Sequence, residues 1–193
     1  MIDRLLNNFL KYGILSNDER NAIIESTEIK EYKKGSYLLR EGQKSTESYF
    51  ILEGCIRQYS LLNGEEKTTL FFTENDWVIS SEDNDMDAFS IHNWVCMEDC
   101  TLVTGNEKKA QELFAKFPGL ENISRKIVEA AFSEMQKSIL LYHTDSPEQC
   151  YLKLLQKKPD IFQRVPQYHI ASFIGVKPES LSRIRKRIAL KKE

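Results

Sequence analysis

Apolar residues recur along this chain with more than one period. In residues 1–27, Leu5, Leu6, Phe9 and Leu10, followed by Ile14 and Leu15, keep helical spacing. Ser16 with Glu19 three positions later forms a capping box that opens a second helix. From Ile29 to about Val103 short runs rich in Tyr, Phe, Ile, Leu and Thr are separated by Gly35, Gly42, Gly54 and Gly64, and Asn63-Gly64 predicts a two-residue hairpin. Turns at roughly ten-residue intervals predict an antiparallel barrel or double-sheet roll.

Past Gly105 the helical period returns. Pro118-Gly119 separates a short helix from a long one, in which Val128, Phe132, Met135, Ile139 and Tyr142 recur at spacings of 4, 3, 4 and 3, a coiled-coil-like seam. Such a seam suits the chain's own barrel or the same helix of a second subunit. A further face at Leu120, Ile123 and Ile127 leaves room for both. At Asp145-Ser146-Pro147-Glu148 the pattern stops and restarts, with Ser146 as cap and Pro147 at the first helical position. The fold class expected is α+β: an antiparallel double-stranded β-helix (jelly-roll) barrel with flanking helices over 1–118, a long dimerisation helix over 119–144, and a small all-α helix-turn-helix domain over 145–193.

The last unit rests on the segment VPQYHIASFIGVKPESLSRIRKRIAL. Ile170, Phe173 and Ile174 give its first helix an apolar face. Ala171 is small where a second helix would cross, Gly175 supplies the turn, and Leu181 lies inside the second helix, which Pro178 opens. At about 100° per residue, Leu181, Ile184 and Ile188 share one face while Glu179, Ser182, Arg183 and Lys186 share the opposite one. That polar face carries what groove readout uses: a guanidinium for guanine, a carboxylate to accept from cytosine, a hydroxyl for either. Arg185, Arg187, Lys191 and Lys192 are then phosphate contacts.

Charge agrees once the chain is divided. The formal net charge of −2 conceals 11 Lys+Arg against 3 Asp+Glu from Tyr151 onward, and 16 against 26 before it. A small basic segment joined to a larger acidic one fits a polyanion-binding module attached to a unit with another task. At 193 residues, 41% hydrophobic and 29% charged, the composition is that of a globular protein, with no apolar run long enough for a membrane span and no secretion signal. The expected location is the cytoplasm. There Cys55, Cys96, Cys100 and Cys150 are expected as free structural thiols, since no second pair or His cluster completes a metal site with Cys96 and Cys100.

The order Gly175-Val176, then Glu179, Ser182 and Arg183, resembles the recognition helix of the Crp/Fnr family of bacterial transcription regulators. The segment YLLREGQKSTESYFILEGCIRQYSLLNGEEKTTLFFTENDW resembles that family's cyclic-nucleotide-binding fold, with Glu41-Gly42 and Glu53-Gly54 at the expected turns. The resemblance spans nearly the whole chain. It implies a dimeric, sequence-specific DNA-binding regulator in which Glu179, Ser182 and Arg183 read bases of a palindromic TTGA- or TGTGA-like site. Lys177, Ser180, Arg185, Lys186 and Arg187 would then hold phosphates, and Val128, Phe132, Met135, Ile139 and Tyr142 would join the two copies. It also allows RNA polymerase as a partner, and implies neither an enzyme nor a membrane protein. The chain departs from the pattern at Lys177, which stands where the family has a Ser or Thr cap. It also ends at Glu193, before the strands of the family's wing, so affinity is expected to depend more on dimerisation and on the basic end.

A third departure concerns the ligand. The family's cyclic-AMP sensors hold the phosphate and ribose with a Gly-Glu stretch and an Arg-Ser/Thr-Ala stretch, whereas the matching region reads WVISSEDNDMDAFSIHNWVCME. No arginine occurs from Gln58 to Leu120, and Glu82, Asp83, Asp85 and Asp87 would repel an anion. Cyclic-nucleotide binding is therefore not expected. Asp83, Asp85 and Asp87 alternate like the start of a calcium loop, but Ala88 replaces its glycine and Trp94 its closing glutamate, so a solvated acidic loop is the reading. His92 is the only barrel histidine, too few for a metal-dependent barrel enzyme. Haem and iron–sulfur ligands are not recognisable, no cofactor or metal is expected, and the effector is unknown. The alternative is a small-molecule-binding or protein-interaction module whose helix-turn-helix is degenerate.

Overall fold

The computed structural model describes residues 1–79 and 89–190, the side chains of residues 139–144 excepted. Two helices, α1 (Ile2–Leu10) and α2 (Asn17–Ser26), lead into eight strands. These are β1 (Glu28–Tyr32), β2 (Tyr37–Leu39), β3 (Glu47–Glu53), β4 (Ile56–Leu62), β5 (Glu65–Phe72), β6 (Trp77–Val78), β7 (Asn93–Cys96) and β8 (Cys100–Asn106). Helices α3 (Glu107–Lys116), α4 (Pro118–Thr144), α5 (Pro147–Lys157), α6 (Ile161–Arg164), α7 (Gln167–Ile174) and α8 (Pro178–Leu190) follow.

The strands form two antiparallel four-stranded sheets, β1-β8-β3-β6 and β2-β7-β4-β5. Apart from the β4–β5 hairpin, successive strands alternate between the two sheets, the jelly-roll order. Local chemistry builds it. Asn63 (φ 53°) and Gly64 (φ 81°) join β4 to β5, pairing Leu62 with Glu65, because two residues of positive φ match the twist of the strands. The predicted Ser16 and Ser146 caps each form complete capping boxes, with Glu19 and Gln149.

The run Tyr49-Phe50-Ile51-Leu52 is buried throughout because β3 has no solvent face. Tyr49 and Ile51 point into the sandwich with Trp94 and Leu102. Phe50 and Leu52 point outward beneath Leu5 and Leu6 of α1 and Leu120, Ile123 and Ile127 of α4. Full burial of such a side chain stabilises by roughly 1.5–3 kcal/mol. The barrel-packing face of α4 is thus the Leu120, Ile123, Ile127 stripe, while Val128 (45% exposed) and Phe132 (49%) face outward. Met135, the next residue of that seam, is half-buried and lines a cleft beside α4. Ile139 and Tyr142 lie outside the described side chains.

The helices after Ser146 do not stand apart from the barrel. Their core of Tyr151, Leu154, Ile161, Ile170, Ile174, Leu181 and Ile184 continues into Cys55, Phe71 and Met97 of the sandwich. Among the described residues no helix is long and apolar enough to cross a membrane.

Candidate nucleic-acid interface

Helix α7 ends where Gly175 takes a left-handed conformation (φ 79°, ψ 28°), and the Val176 N–H reaches back to the Ala171 carbonyl at 2.9 Å. The turn brings α8 across α7. Leu181, Ile184 and Ile188 are buried against Ile170, Ala171 and Ile174, so Glu179, Ser182, Arg183 and Lys186 are left exposed on the far side, with Ser180 half-buried at its edge. Lys177 offers no side-chain acceptor for a cap. Its carbonyl receives the Ser180 and Leu181 N–H groups at 3.0 and 3.1 Å.

Three arginines of α8 have partners within the unit. Arg183 Nη2 donates to Ser180 Oγ at 3.1 Å, Arg185 Nη1 to Gln167 Oε1 at 2.8 Å, and Arg187 pairs with Glu148 of α5. The three guanidiniums thus rest on α8 itself, α7 and α5 in turn, while Lys177 and Lys186 remain exposed. Lys191 and Lys192 lie outside the described residues.

Sequence reasoning missed what ties this unit to the barrel. Ser172 Oγ on α7 accepts from the Thr68 N–H and donates to the Glu66 carbonyl, both at 3.0 Å. Arg57, 2% exposed on β4, donates to Glu66 (2.7 Å) and Thr68 (2.8 Å) and meets His169 Nε2 at 3.5 Å. An arginine can only donate, so Nε2 accepts and the imidazole carries its proton on Nδ1. Burial first, and Arg57 second, push His169 down to about 4. At the other end, Arg164 grips Glu74 with both terminal nitrogens (2.9 and 2.8 Å) and Glu98 through Nε (2.9 Å). Burial would raise the Glu74 carboxyl, but Arg164 and the Gly54 N–H hold it below its ordinary range. An arginine in the strand Ile56-Arg57-Gln58-Tyr59 signals a buried cation needing a partner. Nothing in the sequence points to a histidine 112 positions away.

The barrel holds a polar cavity of about 370 Å³ lined by Lys44, Ser45, Glu47, Tyr49 and Trp94. Ser45 Oγ and Asn93 Nδ2 are buried without a protein partner. Among the described residues its lining carries one lysine, Lys44, and one carboxylate, Glu47, to which Tyr49 donates at 2.8 Å. The acidic residues Glu82, Asp83, Asp85 and Asp87 lie outside the described residues. His92 Nδ1 is 2.7 Å from Ser60 Oγ. All four cysteines are buried free thiols, and burial pushes Cys55 up to about 12. Among the described residues no three His, Cys, Asp or Glu side chains converge as metal ligands.

Residues 29–117 match the family model of the cyclic nucleotide-binding domain. No curated protein matches the chain. Solved structures do. The c-di-GMP-responsive global regulator CLP of Xanthomonas campestris aligns with 92% of this chain and 93% of its own at 16% identity and a TM-score of 0.66. FixK2 of Bradyrhizobium japonicum aligns over 86% of each chain, also at 16% and 0.66. The Thermus thermophilus catabolite activator protein covers 92% of this chain and 85% of its own at 19% and 0.51. Such identities speak for the fold, and the aligned length takes in the terminal helices as well as the sandwich. Residues 29–117 thus match the cyclic nucleotide-binding domain model, in a chain that shares its fold with these solved regulators.

Proposed function

We propose that the protein is a dimeric, sequence-specific DNA-binding transcription regulator of the Crp/Fnr type, working in the cytoplasm. The observation that carries this reading is the two-sidedness of α8: Leu181, Ile184 and Ile188 are buried, and Glu179, Ser182 and Arg183 are exposed together on the other side. Residues 145–193 act as the helix-turn-helix domain, 119–144 as the dimerisation helix and 1–118 as the barrel sensor. In the major groove Arg183 reads guanine O6 and N7, Glu179 accepts from cytosine N4, and Ser182 serves either base. Lys177, Ser180, Arg185, Lys186 and Arg187 hold phosphates around them. Arg185 and Arg187 exchange their present partners, Gln167 and Glu148, for phosphate oxygens.

Two copies join through the seam of Val128, Phe132, Met135, Ile139 and Tyr142, so the two recognition helices meet half-sites of a TTGA- or TGTGA-like palindrome one helical turn, roughly 34 Å, apart. The barrel takes no cyclic AMP, since no arginine lies between Gln58 and Leu120 to meet its phosphate. RNA polymerase is a further partner of this reading, and catalysis has no part in it.

A second reading, a small-molecule or protein-interaction module with a degenerate helix pair, is favoured by the intramolecular bonds of Arg183, Arg185 and Arg187. Titration of a palindromic TTGA duplex and a scrambled duplex separates the two. Regulator function requires tighter binding to the palindrome, with Arg183→Ala losing about 1–3 kcal/mol mainly on that site. Equal binding of both duplexes, unchanged by the substitution, refutes base readout by α8 and leaves the second reading.

A further inference from the structure

The barrel-facing stripe of α4 changes character partway along the helix. It is Leu120, Ile123 and Ile127 over the sandwich, then Ala130, Ala131, Glu134 and Ser138 at the continuing positions. Small residues there leave space that the neighbours do not close. A cleft of about 270 Å³ opens between α4, the barrel and α5, walled by Phe72 and Trp77 of the barrel, Ala131 and Met135 of α4, and Leu154 and Phe173 of the terminal helices. It is separate from the polar cavity inside the sandwich, with which it shares no lining residue. Its size suits a small ligand rather than a nucleotide.

The mouth is charged. Lys153 and Lys157 of α5 and Lys158 just after it line it together with Asp76 and Glu134. The side chains of Lys153 and Lys157 are about half exposed (46% and 52%). Each of the three lysines already has an acidic partner: Lys153 pairs with Asp145 at 2.7 Å, Lys157 with Glu134 at 2.9 Å, and Lys158 with Asp76. Lys157 is the cation best able to change partner. It binds Glu134 Oε2 at 2.9 Å, and Glu134 is held independently by Lys137 on Oε1 at 2.7 Å, so releasing Lys157 does not strip Glu134 of its counter-charge.

We propose that this cleft binds a small amphipathic monocarboxylate, a medium-chain or aryl-substituted acid, with its tail against Trp77, Ala131 and Leu154 and its carboxylate on Lys157. Because the walls come from the barrel, the long helix and the terminal helices, occupancy is energetically linked to how these three parts are held together.

The test is calorimetric titration of the full chain with octanoate, and with 1-octanol as the uncharged counterpart. Octanoate is expected to saturate one site per chain and to bind about tenfold more tightly than the alcohol, the worth of one charge-assisted hydrogen bond. Lys157→Met is expected to remove that tenfold advantage while leaving octanol unaffected, and Ala131→Phe to weaken both ligands by filling the cleft. Should Ala131→Phe lose its cooperative thermal transition, Lys157→Met alone decides. Absence of a saturable octanoate site, equal affinity for acid and alcohol, or octanoate affinity undiminished by Lys157→Met overturns the proposal. None of these readouts involves DNA.

Discussion

Gly54 and Gly175 both hold positive φ, 113° and 79°, yet they do different work. A Cβ at Gly175 would meet nothing within 4 Å, so only backbone preference specifies glycine there. At Gly54 it would meet Cys100 Sγ at 2.5 Å and Cys100 Cα at 2.8 Å, where β3 and β4 pass the start of β8. Gly175→Ala should therefore cost about 1 kcal/mol and Gly54→Ala about 3 kcal/mol, adding overlap to strain. Urea denaturation of the two variants measures the difference. His169 makes a prediction with a sign. Its folded value of about 4 lies below the ordinary 6.5, so the unfolded chain takes up the proton first as pH falls. Stability contributed by neutral His169 is fully present above about pH 6.5 and is lost between there and pH 4. Arg57 and Glu66 are the charges that face it. His169→Gln should flatten the stability profile across that window, measured by denaturation at a series of pH values. Of these residues the turn glycines were legible from spacing alone. The fate of His169 was not, because its environment is made by a strand more than a hundred residues away.

At the scale of elements, α4 carries the test of assembly. Phe132 and Val128 are exposed apolar side chains on the side of the helix turned away from the barrel. Phe132→Glu should weaken a dimer with little effect on the barrel-facing stripe, and light scattering of both proteins checks it. A monomer in the unsubstituted chain would refute the seam. The Arg164 clasp bears on the terminal helices. Removing it by Arg164→Ala leaves Glu74 and Glu98 without their cation in a partly buried setting, and should cost about 2 kcal/mol of stability. Helix ends, the Asn63-Gly64 hairpin and the burial of Leu181, Ile184 and Ile188 could be read from periodicity, since each is a local property of backbone and side-chain spacing. Which α4 residues face the barrel, the solvent or the cleft depends on where the helix is laid down, and Met135 is found at the cleft.

Across the whole molecule the division of charge sets an expectation for binding. A chain of net charge −2 with an excess of eight positive charges from Tyr151 onward should lose DNA affinity with added salt, linearly in log–log coordinates, as released counterions dictate. Titrations of the palindrome at several salt concentrations measure the slope, and Lys186→Ala should make it shallower by about one. By itself the order of amino acids determined the parts: a strand-rich middle punctuated by glycines, a long helix after the Pro118-Gly119 break, and a terminal helix pair with one apolar and one chemically mixed face. Those follow from interactions among residues a few positions apart, which periodicity reports. Only the tertiary structure decided that the terminal helices share a core with the barrel, that Arg57 meets His169 and Arg164 meets Glu74 and Glu98, and that a stripe of small residues on α4 opens a lysine-rimmed cleft. Those are contacts between distant segments, and their geometry arises only when the sheets, the long helix and the terminal helices pack together.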